Sequence, residues 1–304
     1  MSVTHAYEQM LFHPRWYHYP VILLLLPLSI LYGSWMLFRR IFARKKDFGI
    51  PIVSIGNLIV GGSGKTPFVI ALASRYSDVA VISRGYGRKS NGLVEVSRRG
   101  KILVPVEQSG DEALLMALSL PGASVIVSED RHEAIALATG QGAKLIILDD
   151  GFNRVEIEKF EILLEPEQIN NPFPFPSGPF REFSFSKKYA DLVLKEKEDF
   201  ERIVSYEDLT EKMVLVTAIS NPQRLDPYLP AGVIGKVYLE DHAYFEKEML
   251  EKILKEYDAQ SLLVTEKDYV KMTNFKLPVS KTKLKLKIKN EIFEKIDRYI
   301  KARH

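Results

Sequence analysis

The chain has no cysteine, which removes disulfides, thiolate metal sites and thiol nucleophiles from its chemistry and fits a reducing compartment. It also lacks a strong charge bias: 42 Lys and Arg face 39 Asp and Glu, leaving a net charge of +3. So small an excess gives no general reason to bind nucleic acid, although local basic clusters can still meet an anionic surface. No internal repeat is present, and nothing in the composition suggests disorder. With 46% apolar and 27% charged residues over 304 positions, the chain reads as globular and long enough for two ordinary domains.

One long uncharged run stands out. Tyr19 to Phe38 carries no charge and is about the length that a helix needs to cross a bilayer core. Arg39, Arg40, Arg44, Lys45 and Lys46 follow it, so the positive-inside rule assigns the rest of the chain to the cytoplasm. There is no small-residue cleavage site ahead of the basic flank, which argues against a removed signal peptide. Pro27, Ser29, Gly33 and Ser34 interrupt the run, while Trp16, Tyr17, Tyr19, Tyr32 and Trp35 favour an interface. The segment therefore spans, lies in one leaflet, or is a long buried core helix.

The stretch around which the chain is organised runs from Val53 to Pro67, where a β-branched run meets a glycine-rich turn ending in Gly64-Lys65-Thr66. This is the pattern of a phosphate-binding loop. Backbone N–H groups of Gly61, Gly62, Ser63 and Gly64 would converge on phosphate oxygens, Lys65 would reach the β- and γ-phosphates, and the Thr66 hydroxyl would face Mg²⁺. Ile59 stands where the usual spacing has glycine, so Gly61 and Gly62 are expected to make the turn. Its metal-side partner is Leu145–Leu148 followed by Asp149 and Asp150: a buried-type strand whose terminal carboxylate binds the ion directly or through water.

Other strand ends carry polar groups as well. Val79–Ser83 leads into Arg84-Gly85-Tyr86-Gly87-Arg88, and in an open α/β sheet such loops gather round the ligand, which makes Arg84 and Arg88 candidates for a phosphorylated substrate. Leu93–Val96 and Ile102–Val106 predict a hairpin. Asp111 precedes an apolar helix, where a capping role is the commoner one. Val125–Val127 is followed by Glu129-Asp130-Arg131, and Asn171–Phe183 is a proline-rich aromatic loop ending in Arg181-Glu182. A second α/β unit begins near Met213. Within it His242 lies between an acid and aromatics, and Thr265-Glu266-Lys267-Asp268 ends a strand. That motif differs from the guanine-reading one, in which Lys and Asp are separated by a residue. Lys281–Lys289 alternates lysine with less polar residues and predicts an edge strand.

Taken in order, the apolar N-terminal segment, Gly56-Asn57 through Thr66-Pro67, Ser83–Gly87, Gly110–Glu112, Glu129–Arg131, Leu148–Phe152, Gly178–Glu182, Asp241-His242 and Thr265–Asp268 resemble the tetraacyldisaccharide 4'-kinase family over nearly the whole chain. The family also carries the loop without the first glycine. The resemblance implies a P-loop NTPase-like α/β/α core at 47–208, a smaller C-terminal α/β domain at 209–304 and an N-terminal membrane-associated helix within 1–46. It implies transfer of the γ-phosphate of ATP, with Mg²⁺, to the 4'-hydroxyl of a tetraacylated glucosamine disaccharide 1-phosphate, by a monomer on the cytoplasmic face of the inner membrane.

Carried over residue by residue, the family roles make Asp111, paired with His242, the base or orienting group. Lys65 and its loop would hold ATP, Thr66 with Asp149 or Asp150 would hold the metal, and Arg84, Arg131, Asn153, Arg181 and Glu182 would address the sugar and its phosphate. The chain departs from the family at Asn153 (usually Gln), Phe180 (usually Leu), and Ala113 and Phe183 (usually Pro). Two rivals share the nucleotide motifs: a membrane-attached ATPase switch acting on a protein partner, and a nucleotide-binding structural subunit. Neither needs the Asp111–His242 pair.

Overall fold

The computed structural model describes residues 3–61, 64–165 and 169–303, so Gly62 and Ser63 of the expected phosphate loop lie outside the described residues. In chain order, α1 (Val3–Phe12) and α2 (Tyr19–Phe42) precede β1 (Ile52–Gly56), α3 (Lys65–Ala73), β2 (Val79–Ser83), β3 (Val94–Arg98) and β4 (Lys101–Ile102). Next come α4 (Val106–Ser109), α5 (Asp111–Ser119), β5 (Ser124–Val127), α6 (Arg131–Gly140), β6 (Leu145–Asp149), β7 (Phe160–Glu165) and β8 (Leu192–Lys195). The chain continues through β9 (Phe200–Glu207), β10 (Met213–Thr217), β11 (Val233–Tyr238), α7 (Lys247–Glu256) and β12 (Ser261–Thr265). It closes with α8 (Glu266–Tyr269), β13 (Val279–Ile288) and α9 (Asn290–Lys301).

These elements form two compact units that interleave along the sequence. One takes in Met1–Lys65, Leu145–Glu201 and Ile288–His304; the other takes in Thr66–Lys144 and Arg202–Lys287.

The first unit holds four parallel strands in the order β6-β1-β7-β8. β1 and β6 are buried along their whole length, as expected of parallel strands covered on both faces. Ile55 is in register with Asp149, so the loops after Gly56 and after Asp149 leave from the same edge of the sheet. That common edge is what a bound phosphate requires.

Within this unit α2 buries only a narrow stripe, Ile22, Ser29, Gly33 and Met36, while Leu23, Leu24, Leu28, Leu31 and Trp35 are each more than half exposed. The helix is long and apolar enough to cross a membrane. Its stripe is seated on the proline-rich loop: Ser177 N donates to Ser29 Oγ at 2.8 Å and Ser177 Oγ donates to the Ile22 carbonyl at 2.9 Å. Gly33 lets the helix approach closely, since a Cβ there would come within 2.8 Å of the Phe183 ring. The helix is thus neither a buried core helix nor free of the body over its length.

In the second unit β5 pairs in parallel with β2 and antiparallel with β3, and the predicted hairpin is the β3–β4 pair. A five-stranded sheet, β11-β10-β12-β13-β9, packs α7 over Val214, Val216, Leu262 and Val264. The expected edge strand is a correction: β13 lies between β12 and β9, and β9 takes the edge. Its lysines serve pairing rather than protection, because Lys281 and Lys283 both reach Glu207 of β9, whose carboxyl they hold down at about 2. Strands β7, β9 and β11, absent from the sequence reading, complete the two sheets.

Gly33→Leu, which forces a branched side chain against Phe183, is expected to lower stability by about 1–3 kcal/mol. Thermal unfolding in detergent, followed by circular dichroism, measures this; an unchanged melting temperature would show that α2 is not seated on the loop.

Candidate functional site

Functional side chains gather in two clusters, one in each unit. In the first, the chain leaves β1 through Asn57 and Leu58 and turns at Gly61, whose φ of 86° suits glycine, as does the φ of 73° at Gly64. Ile59, at the position of the missing glycine, is buried with Phe152, Leu163 and Phe180, so core packing rather than the turn explains its identity. Lys65 opens α3, and its Nζ donates to Asn57 Oδ1 at 3.3 Å and lies 3.5 Å from Asp150 Oδ1. Thr66 is the second residue of the same helix.

Asp149 ends β6, nearly buried at 4% exposure. Asp150 follows in the left-handed region with φ 54°, a conformation that aspartate tolerates better than most residues. Its Oδ2 accepts from Arg181 Nη1 at 2.8 Å. Burial pushes the Asp150 carboxyl up, but Lys65 and Arg181 outweigh it and hold the group below the usual carboxylate range. Two adjacent carboxylates and a threonine hydroxyl are hard oxygen donors of the kind that Mg²⁺ takes while keeping waters and phosphate oxygens for its other positions. Among the described residues no group of three or more acids or histidines converges.

Arg40 is a residue that the sequence reading missed as a site group. Read as part of a basic flank, it instead folds inward from the end of α2. Its guanidinium binds both oxygens of Glu182, at 2.7 and 2.9 Å, donates to the Phe152 carbonyl at 2.9 Å, and lies 4.1 Å from the centre of the Phe152 ring. Glu182 is 1% exposed, so both of its oxygens are turned to Arg40 inside the protein. Arg39 donates to the Asn153 carbonyl at 3.4 Å, with the Asn153 residue itself half-buried. The loop that carries Asp150 is therefore tied on one side to Arg181 and on the other to the apolar helix. Asn57, also missed, was legible only as the residue that follows the strand.

The second cluster centres on Asp111. Gly110 has φ 82° and ψ 155°, which glycine alone adopts readily, and a Cβ there would lie 2.9 Å from the Tyr86 carbonyl. Gly110 is the N-cap of α5, so Asp111 is not the cap; it is the first helical residue and points elsewhere. Both of its oxygens face His242 Nδ1, at 3.0 and 3.1 Å, and the residue is 5% exposed. The Tyr86 ring sits 5.1 Å from the imidazole on its other side. Lys267 and Lys271 place their Nζ atoms 3.8 and 3.7 Å from Asp111 Oδ2.

Burial pushes the Asp111 carboxyl up, but the His242 hydrogen bond and the two lysines more than offset it, leaving the group below its ordinary value. The same hydrogen bond raises His242 above 6.5 against burial and Lys267, which act the other way.

The remaining expected substrate residues differ in setting. Arg84 is exposed just after β2. Arg131 is buried at 3% exposure at the start of α6, donating to the Ser128 carbonyl. Arg88 is engaged within the protein, with Nη2 at 2.6 Å from both Glu129 Oε1 and the Gly92 carbonyl, which leaves it less suited to substrate contact than expected.

Because the folded value of His242 is raised, its bond to Asp111 contributes stability in full below about 6.5, and that contribution is lost as pH rises through the folded value. Titration of the imidazole by carbon-detected NMR is expected to give a pKa above 6.5 that falls on Asp111→Asn. A value unmoved by that substitution would show that the bond is not formed.

The sequence pattern of the family described as LpxK, tetraacyldisaccharide-1-P 4'-kinase, matches residues 21–213 and 204–303. A tetraacyldisaccharide 4'-kinase of Helicobacter pylori strain HPAG1 is 49% identical over 294 residues, 96% of this chain and 94% of that protein. One of Aliarcobacter butzleri is 47% identical over 277 residues, covering 89% and 88% of the two chains. Among solved structures, the apo form of LpxK from Aquifex aeolicus in complex with ATP superimposes with a TM-score of 0.78 at 28% identity, covering 92% of this chain and 99% of that one. The glycine-bearing turn after β1, the paired carboxylates at the end of its partner strand β6 and these likenesses over nearly the full length agree, and the chain belongs to the tetraacyldisaccharide 4'-kinase family.

Proposed function

We propose that this protein transfers the γ-phosphate of ATP to the 4'-hydroxyl of a tetraacylated glucosamine disaccharide 1-phosphate. The observation that carries the reading is the buried Asp111–His242 pair, 3.0 Å apart, in a chain that also has a phosphate loop. Hydrolysis alone, or nucleotide binding alone, gives no reason to bury a carboxylate against an imidazole. Family membership and the likeness to an LpxK bound to ATP support the same choice.

The two clusters divide the work. Backbone N–H groups of the loop Gly61–Gly64 and the Lys65 ammonium would neutralise the β- and γ-phosphates as charge shifts onto them. Thr66, with Asp149 or Asp150, would hold Mg²⁺, which when bound screens the phosphate oxygens from the incoming nucleophile. Asp150 is itself restrained by Lys65 and Arg181. The Asp111–His242 pair would take the proton of the 4'-hydroxyl as its oxygen forms a bond to the γ-phosphorus and the bond from that phosphorus to the β,γ-bridging oxygen breaks. Arg84, Arg131, Asn153 and Arg181 would address the sugar and its phosphate. Glu182 would act through Arg40 and the neighbouring Arg181, its own oxygens being engaged.

The acceptor is a lipid, so the exposed leucines of α2 suit a helix lying in the interface beside the body, with the exposed Arg44, Lys45 and Lys46 on the cytoplasmic side of an inner membrane. Removing residues 1–40 is expected to reduce membrane partition, read by flotation with vesicles; a truncated chain that floats as before would place the attachment elsewhere.

Transfer of labelled γ-phosphate from ATP to the tetraacyldisaccharide 1-phosphate in detergent micelles tests the reaction. Lys65→Ala and Asp111→Ala are each expected to lower turnover by about 10²-fold or more. Label appearing only as free phosphate, indifferent to the lipid, would favour the ATPase switch.

A further inference from the structure

The segment from Thr265 to Lys271 has no part in the reaction as written. We infer that Lys267 and Lys271 are positioning residues that keep Asp111 charged and oriented towards His242, held in place themselves by Glu112 and Asp268. This rests on the phosphoryl-transfer reading above.

The distances are the reason. At 3.7 and 3.8 Å the two ammonium groups are too far from Asp111 Oδ2 for a good hydrogen bond, yet close enough to stabilise its charge. They therefore compensate a carboxylate whose side chain is only 4% exposed without occupying the lone pairs that face His242. Glu112 N also donates to Asp111 Oδ1 at 2.9 Å, but without the two cations the buried carboxylate would have only that bond and the imidazole to hold its charge.

Each lysine is fixed by a second acceptor. Lys267 donates to Glu112 Oε1 at 3.2 Å and lies 4.0 Å from Asp241 Oδ1. Lys271, 1% exposed in its side chain, donates to the Ala243 carbonyl at 3.0 Å and lies 3.4 Å from Asp268 Oδ1. Asp268 is fully buried and is itself fixed by three donors, Thr217 Oγ1 at 2.6 Å, Thr265 Oγ1 at 2.7 Å and Ala218 N at 3.1 Å. Four residues apart, the two lysines emerge on one side of the helical turn that follows β12. The strand end thus supplies a rigid mount for two cations and leaves the carboxylate free to bond the imidazole. Charged and titratable groups around the pair are Glu112 on α5, Asp241, Tyr244 and His242 after β11, Tyr86 after β2, Glu107 on α4, and Lys267, Asp268 and Lys271 at α8.

The test compares the pH profile of kcat/KM, and the NMR titration of His242, in wild type, Lys267→Met, Lys271→Met and Lys271→Arg. Removing a nearby cation makes both members of the pair hold a proton more tightly. The acid limb in either Met variant is therefore expected to move up by about one pH unit, so that activity on the limb falls about tenfold while the plateau above it stays within a few-fold. Lys271→Arg keeps the charge and should leave the limb in place. A Met variant with an unmoved limb and a rate lowered equally at every pH would overturn the inference and leave the lysines as structural props. Lys267, more exposed than Lys271, gives a variant that folds even if Lys271→Met does not. The NMR titration needs no turnover: if no phosphate reaches the lipid in wild type, the reaction reading fails, while a His242 pKa raised in Lys267→Met still upholds the charge compensation and one unmoved overturns it.

Discussion

A carboxylate held ionised away from water sets the conditions that the second unit has to meet. Asp111 gains its place only because Gly110 turns the chain through a conformation closed to other residues, so that α5 starts with the acid pointing at His242 and not capping its own helix. The charge is then met from three directions, by the imidazole and by two ammonium groups mounted on the turn after β12. Remove any one and the others face a burial cost that no water relieves. The buried β-strands around them are the means of keeping that arrangement stiff.

The first unit meets a similar demand differently. Its Asp150 is balanced by Lys65 and Arg181, the loop bearing it is tied to α2 where Arg40 donates to the Phe152 carbonyl, and the fork of Arg40 on Glu182 ties the proline-rich loop to the same guanidinium. Such a bidentate pair is geometrically specific in a way that a single lysine contact is not. A buried lysine in the same unit, Lys159, meets Glu161 of β7 at 2.7 Å, with burial pushing the ammonium down and the carboxyl up.

Much of this was legible in the sequence because it is local. The strand–turn–helix passage from β1 to Lys65, Asp149 at a strand end, and the strands at Val79, Leu145, Met213 and Ser261 all follow from short runs whose residue types speak for themselves. What escaped depends on pairing over long separations. Arg40 looked like a flank because basic residues after an apolar helix usually are one; only Glu182, far along the chain, reveals its job. Lys267 and Lys271 became meaningful only when Asp111 was found beside them. β13 was read as an edge because its lysines had no visible partner until β9 supplied Glu207. The interleaving of the two units has the same origin, since strand neighbours in a parallel sheet need not be neighbours in sequence.

The way that Arg40 joins α2 to Phe152 of one loop and Glu182 of another bears on how this protein can diverge. An apolar helix that did nothing but hold a body near lipid could be exchanged for any other of similar length, and its sequence would drift under hydrophobicity alone. Here the last turn is shared property: one side carries exposed apolar side chains and the other answers to a carbonyl and a carboxylate of the body. Drift in the exposed leucines is therefore cheap, while the register between the stripe at Ile22–Met36 and Arg40 is locked, because inserting a single residue would swing the guanidinium about 100° round the helix and away from both partners.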